Sequence, residues 1–366
     1  MSDRTRSLLF QPWSHGTLRL RNRVVMAPMT RRKAAPDGIL TDAIVAYYER
    51  RAQNDVGLIV SEGISVDSLH AYDTLTVPRL ETPGQVEGWR RVVDAVHAAG
   101  GAFAPQLWHT GRLAANPIGP SAATMPPRPD GTARPEVRAM EPDDFRQVLE
   151  AYRLSARNAI EIGSDALEIH GAHGYLLDSF LSPVNNRRTD EHGGSPENRM
   201  RFPLEVVRAI RTEVGPDFPI LYRFSQWKVD DYREIKFRGP DELERWVVAL
   251  REAGVDILHV STRDLLDPAF ETSPDSLAAW SRRLSGLPVV GVGKVSLFRG
   301  MDESPPPPEQ AVADPEPILA MVEDGEIDLV AVGRALIANP DWVPLVRSGR
   351  WRDLVPYSRE LLTELR

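Results

Sequence analysis

The chain has no cysteine among its 366 residues. That absence excludes a disulfide framework, a thiolate nucleophile and a cysteine-ligated iron–sulfur cluster. No apolar run reaches bilayer length, and the opening stretch to Trp13 lacks the apolar segment of a signal peptide, so a cytoplasmic protein is expected. Positive charge is not in excess either, with 44 Lys and Arg against 52 Asp and Glu and a formal charge of -8. There is no basic stripe interleaved with aromatics, and Arg31, Arg32 and Lys33 read as a solvated loop. Neither nucleic acid nor membrane is expected as a partner. Also missing is a Gly-x-Gly-x-x-Gly opening a helix after a strand, which argues against a separate Rossmann nicotinamide domain.

What is present is an alternation. Eight short apolar runs occur at Val24–Ala27, Gly57–Ser61, Ala102–Leu107, Ala166–His170, Ile220–Phe224, Ile257–Ser261, Val289–Gly291 and Leu329–Val332. Amphipathic stretches separate them, at Asp42–Gln53, Gln85–Ala99, Pro142–Ile162, Pro203–Val214, Asp241–Ala253 and Pro315–Asp324. Asp42, Ser195 before Pro196, and Pro240 before Asp241 mark helix starts. Continuous apolar strands alternating with helices imply parallel strands buried on both faces. Eight such units predict an α/β protein, a (β/α)8 TIM barrel forming one domain over 1–366, with an open doubly wound sheet as the alternative. Leu8–Arg23 predicts a hairpin around His15-Gly16 that plugs the bottom of the barrel. After the third strand, Asn116–Pro142 is rich in proline and without period, as expected of a lid or binding loop. The Ser304–Pro308 run reads as a stiff surface loop.

The fourth strand leads into DALEIHGAHGYLLDSFLSP, Asp165–Pro183, which delivers His170, His173 and Tyr175 where the strand should end. Side chains at the carboxyl ends of barrel strands face the ligand site. Two neutral imidazoles can each donate one N–H to a single substrate oxygen, and a phenol can protonate a developing carbanion. These are parts for reducing an activated double bond. Half of a zinc site and a structural histidine pair are the competing readings. Other strand ends should face the same mouth: Ala27, Pro28, Met29 and Thr30; Gly63; Gln106 with Trp108; and Arg223. Gly291-Val292-Gly293-Lys294 and Gly333-Arg334, at the last two strands, offer backbone N–H groups and cations for a phosphate. A flat ring needing an amide (Gln106), a hydroxyl (Thr30) and a cation (Arg223), with a phosphate beyond, describes FMN.

With those residues in view, the chain resembles the Old Yellow Enzyme family of FMN-dependent ene reductases over nearly its whole length. The segments that carry the likeness are RNRVVMAPMTR, GLIVSEG, APQLWHTGR, the run from Asp165 through RTDEHGGSPENRMRF, YRFSQWK and LVAVGRALIANPDW. The resemblance implies FMN contacts at Ala27, Pro28, Met29, Thr30, Gly63, Gln106, Arg223, Gly293, Lys294, Gly333 and Arg334. It implies that His170 and His173 grip the substrate oxygen, that Tyr175 donates the proton, and that Tyr72, Trp108 and Tyr357 line the substrate cavity. NADPH or NADH would be the reductant and a small molecule the substrate, with no metal, in a monomer or homodimer. Asn198 and Arg199 match the family as structural residues. Thr262–Leu266, after the sixth strand, lacks the aromatic found there in some relatives, and the missing cysteines argue against appended iron–sulfur domains. An FMN-dependent oxidase or desaturase, and more remotely a metal-dependent barrel hydrolase, are the alternatives.

Overall fold

The computed structural model describes residues 7–128, 131–298 and 312–366. Pro129 and the Ser304–Pro308 run lie outside the described residues. The chain opens with an antiparallel hairpin, β1 (Trp13–His15) and β2 (Leu18–Leu20), in which His15 faces Leu18. Gly16 turns the corner at φ 54°, a left-handed value that costs glycine little. Leu18 and Leu20 pack against Val25, Leu58, Ala102 and Leu221, and so plug the barrel as expected.

The barrel strands are β3 (Val24–Met26), β4 (Leu58–Ser65) and β5 (Ala102–Trp108). After two short strands, β6 (Ile118–Gly119) and β7 (Arg138–Ala139), come β8 (Leu167–His170), β9 (Ile220–Ser225) and β10 (Ile257–Ser261). A small pair, β11 (Pro268–Phe270) and β12 (Ser273–Ser276), precedes β13 (Val289–Val292) and β14 (Leu329–Val332). The eight long-range parallel partners close in chain order, with β14 returning to β3 through Val330 opposite Val24. All eight predicted runs fall on these strands. The sheet is closed rather than open because β14 pairs with β3 and leaves no edge strand.

Helices α1 (Asp42–Gln53), α2 (Pro83–Ala98), α3 (Pro142–Glu161), α4 (Leu176–Leu181), α5 (Pro196–Val214) and α6 (Pro240–Ala253) follow the strands. They continue as α7 (Leu277–Ser285), α8 (Glu316–Glu323), α9 (Arg334–Ala338) and α10 (Trp342–Arg347). Three helix starts differ in detail from the sequence expectation. Thr41 is the N-cap of α1, with Asp42 in the first turn where its charge complements the dipole, and Gly239 caps α6. Helix α5 begins seven residues before Pro203, after the Ser195 cap, whose hydroxyl accepts from Asn198 N at 3.2 Å. Proline inside a helix removes one backbone bond. Here Phe202, whose ring lies 4.9 Å from both Phe145 and Phe180, anchors the helix through that point.

The described residues of the segment after β5 do not line the mouth. They are fastened to the connection between α4 and α5, where Arg188 Nη1 donates to Pro120 O (3.0 Å) and Met140 O (2.8 Å) and Arg187 Nη2 donates to Ala122 O (2.6 Å). Among the described residues, no helix is long and apolar enough to cross a membrane.

Candidate active site

A cavity of about 360 Å³ opens at the carboxyl ends of the strands. Ala27, Pro28, Met29 and Thr30 form one side, and Gln106, Trp108 and Arg223 the floor. His170, His173 and Tyr175 reach it from β8, while Gly293, Lys294, Gly333 and Arg334 come from β13 and β14. Tyr357 completes the rim. Two expected residues are not on this wall. Gly63 lies opposite Gln106 in register, and a Cβ there would stand 2.6 Å from Trp108 Cε3, so this glycine makes room for the indole. Tyr72 lies under the Arg79 guanidinium (5.1 Å), and its carbonyl accepts from Ala115 N, tying two loops together. No described residue from 116 to 142 lies on the wall.

The His-x-x-His-x-Tyr constellation depends on a left-handed corner. His173 takes φ 65° and Gly174 φ 83°, which folds the chain back so that both imidazoles and the phenol face one space. Ring centroids lie 5.1 Å apart for His170 and His173, 4.9 Å for His170 and Tyr175, and 6.4 Å for His173 and Tyr175. His173 stacks on Trp227 at 4.1 Å, and Trp108 meets Tyr175 edge-on at 5.0 Å.

Hydrogen bonds assign the tautomers. Ala172 N donates to His170 Nδ1 at 3.3 Å, which places the His170 proton on Nε2. His173 Nε2 lies 2.9 Å from Ser261 Oγ, and that oxygen accepts from Arg223 Nη2 at 3.3 Å. Ser261 can give its own hydrogen to His173 Nε2, an arrangement that leaves the His173 proton on Nδ1. Burial, then the Arg223 cation, holds both imidazoles well below their ordinary pKa. Each is neutral near pH 7 and keeps one N–H. Burial, followed by the Asp73 charge, pushes Tyr175 up to about 12, so the phenol keeps its proton.

The cavity wall carries Arg223, Arg263, Lys294 and Arg334 and, among the described residues, no carboxylate. That balance suits an anionic ligand. Arg223 is 7% exposed, with Nε making no hydrogen bond within the chain. Gly293 is required where it stands, since a Cβ would meet Leu265 N and Thr262 Oγ1 at 2.6 Å.

Sequence reasoning missed several wall residues: Trp227, Tyr232, Ser261, Arg263 and Leu362. The aromatics absent from Thr262–Leu266 arrive instead from the loop after β9, and Arg263 lies 4.2 Å from the Tyr232 ring. Trp227 stood inside YRFSQWK, the one available signal. Arg31 also departs from expectation. It is buried rather than solvated, and Nη2 donates to Glu364 O at 2.7 Å while Lys33 Nζ donates to Thr363 O at 2.9 Å, strapping the segment that carries Leu362 to the mouth. Among the described residues, no third metal-type ligand groups with His170 and His173. Among the described residues the grouping of three metal-type donors is Asp190, Glu191 and His192, off the cavity wall.

Barrel and mouth together define a (β/α)8 protein with a cation-lined site at the carboxyl ends of its strands. The family model described as the NADH:flavin oxidoreductase / NADH oxidase family matches residues 8–353, and the chain belongs to this, the Old Yellow Enzyme family. It is 35% identical over 349 residues to 12-oxophytodienoate reductase 2 of Arabidopsis thaliana, covering 91% of this chain and 86% of that one. An NADH oxidase of Thermoanaerobacter brockii is 34% identical over 364 residues, 94% of this chain, which spans about half (52%) of that longer protein. Among solved structures, morphinone reductase in complex with tetrahydroNAD superposes with a TM-score of 0.80 at 31% identity, covering 97% and 93% of the two chains. The Old Yellow Enzyme homologue from Zymomonas mobilis gives 0.81 at 27%, covering 97% and 96%.

Proposed function

We propose that this chain is an FMN-dependent NAD(P)H oxidoreductase that reduces activated C=C bonds, as in α,β-unsaturated carbonyls and nitroalkenes. The observation that carries the reading is two neutral imidazoles and a protonated phenol facing one cavity whose floor holds Gln106 and a buried guanidinium. The donor set fits FMN. Arg223, with Nε unspent inside the protein, together with Thr30 and Gln106, suits the polar edge of the ring. Lys294, Arg334 and the backbone at Gly293 and Gly333 suit the phosphate, while Ala27, Pro28 and Met29 bound a flat face.

Bound FMN would supply a hydride acceptor and donor between the nicotinamide and the β-carbon of the substrate. His170 Nε2–H and His173 Nδ1–H hold the substrate oxygen, and as negative charge gathers there each donor lowers the barrier by about 3 kcal/mol. Tyr175 delivers its proton to the α-carbon. Trp108 and Tyr357 hold the body of the substrate. Relatives named as reductases of 12-oxophytodienoate and morphinone, both named as ketones, support an oxo substrate. Morphinone reductase in complex with tetrahydroNAD supports a nicotinamide reductant.

The test is anaerobic mixing of the purified protein with NADPH or NADH, then cyclohexenone, while the flavin spectrum is followed. Bleaching by the nucleotide and recovery on adding the enone are expected. A colourless protein with no affinity for FMN would overturn the reading, and recovery only in air would turn it into an oxidase.

A further inference from the structure

Beneath the cavity floor lies a buried carboxylate–imidazole pair that the reaction described above does not use. Glu168 and His259 are both 0% exposed, and the carboxylate Oε2 accepts from His259 Nδ1 at 2.5 Å. Its other oxygen accepts from Gln106 Nε2 at 2.7 Å. Strand register makes this contact inevitable, because Gln106 faces Glu168 across β5 and β8, and Arg223 faces both His170 and His259. Side chains alternate along β8, so Glu168 points inward one layer below His170.

We propose that Glu168 and His259 are a positioning pair that fixes the Gln106 amide and balances the Arg223 charge, and thereby sets the reduction potential of the flavin assigned to this mouth. The inference rests on the FMN reading above. A carboxylate only accepts, so the Gln106 amide cannot flip without setting its carbonyl against Glu168. The donor and acceptor it shows to the cavity are thereby fixed. Glu168 is also the chief anion acting on the Arg223 guanidinium. A buried pair contributes little net stability compared with apolar residues of the same volume, and the layer below it is apolar, with Leu58, Ala104, Leu221 and Val290. His259 Nε2 has no partner in the interior, so the ring serves the carboxylate alone. Held there, the Glu168 charge offsets part of the positive field that favours a reduced, anionic ring.

The test is a reductive titration of the holoprotein against a reference dye. Glu168→Gln keeps the shape and removes the charge. The reduction equilibrium should then move at least tenfold toward reduced flavin, about 30 mV for a two-electron couple, with FMN still bound. His259→Phe keeps a ring and removes the donor, leaving the carboxylate charge less compensated, and should move the equilibrium the opposite way. Potentials within twofold of the parent, in whichever variant folds and retains FMN, overturn the proposal. So do shifts of the same sign in both variants, which mark general loosening. A parent chain that binds no FMN instead overturns the functional reading, which separates the two failures.

Discussion

Tyr175 keeps its proton near neutral pH because burial raises its pKa to about 12, while burial strips the proton from His170 and His173. The same desolvation thus favours the neutral form of all three groups, an acid and two hydrogen-bond donors within 6.4 Å. Tyr175→Phe should slow flavin reoxidation by cyclohexenone about 100-fold or more and leave reduction by NAD(P)H within twofold in stopped-flow traces; equal losses in both halves would refute its role as proton donor. Replacing His170 and His173 together with Ala removes two donors to an oxyanion, each contributing about 1.5–3 kcal/mol. Phenol titrations should weaken by about 100-fold or more, and an unchanged affinity would make the pair structural. The three residues were legible because they are neighbours in sequence at a strand end. Gly63 and Tyr72 lie off the cavity wall because their surroundings depend on a neighbouring strand's indole and on a loop contact. Trp227 and Arg263 left no local period to read, since loops after β9 and β10 bring them together only in space.

At the scale of elements, the apolar runs made the barrel readable, because strands buried on both faces need no alternation. Short helices did not announce themselves: α4 spans six residues, too few for a period to show. The connection from β8 to α4 is the element on which the mouth depends, and its tightest point is Gly171. A Cβ there would overlap the Tyr222 phenol, which is fully buried against Trp246 at 5.6 Å. Gly171→Ala should therefore destabilise the protein by about 1–3 kcal/mol in urea unfolding and weaken FMN retention as His173 is displaced. Gly239→Ala is the comparison: nothing lies within 4 Å of the added methyl, and only the smaller loss from a weakened α6 N-cap is expected. Equal stability losses in the two variants would show that the corner is not under steric constraint.

The whole molecule is acidic, with a formal charge of -8, yet its mouth is lined by cations and buried neutral histidines. That arrangement has a consequence for stability. Burial lowers His109 to about 4, and lowers His170, His173 and His259 as well. As pH falls through about 6.5, the unfolded chain takes up these four protons while the folded chain does not, so the unfolded state is favoured. Glu62 works the other way: burial raises it to about 7, so its protonation stabilises the fold as pH falls, and Asp178 and Glu81, also raised by burial, add to its side. His97, raised by its bond to Asp165, opposes the trend only weakly because it is half exposed and screened. With His109 at about 4 and His170 and His173 held well below their ordinary pKa, the histidines outweigh these terms between pH 7 and 5.5. The melting temperature of the FMN-saturated protein should fall by several degrees over that interval. A melting temperature that holds or rises on acidification would mean that these imidazoles carry their protons in the folded state, and that the substrate oxygen meets imidazolium donors.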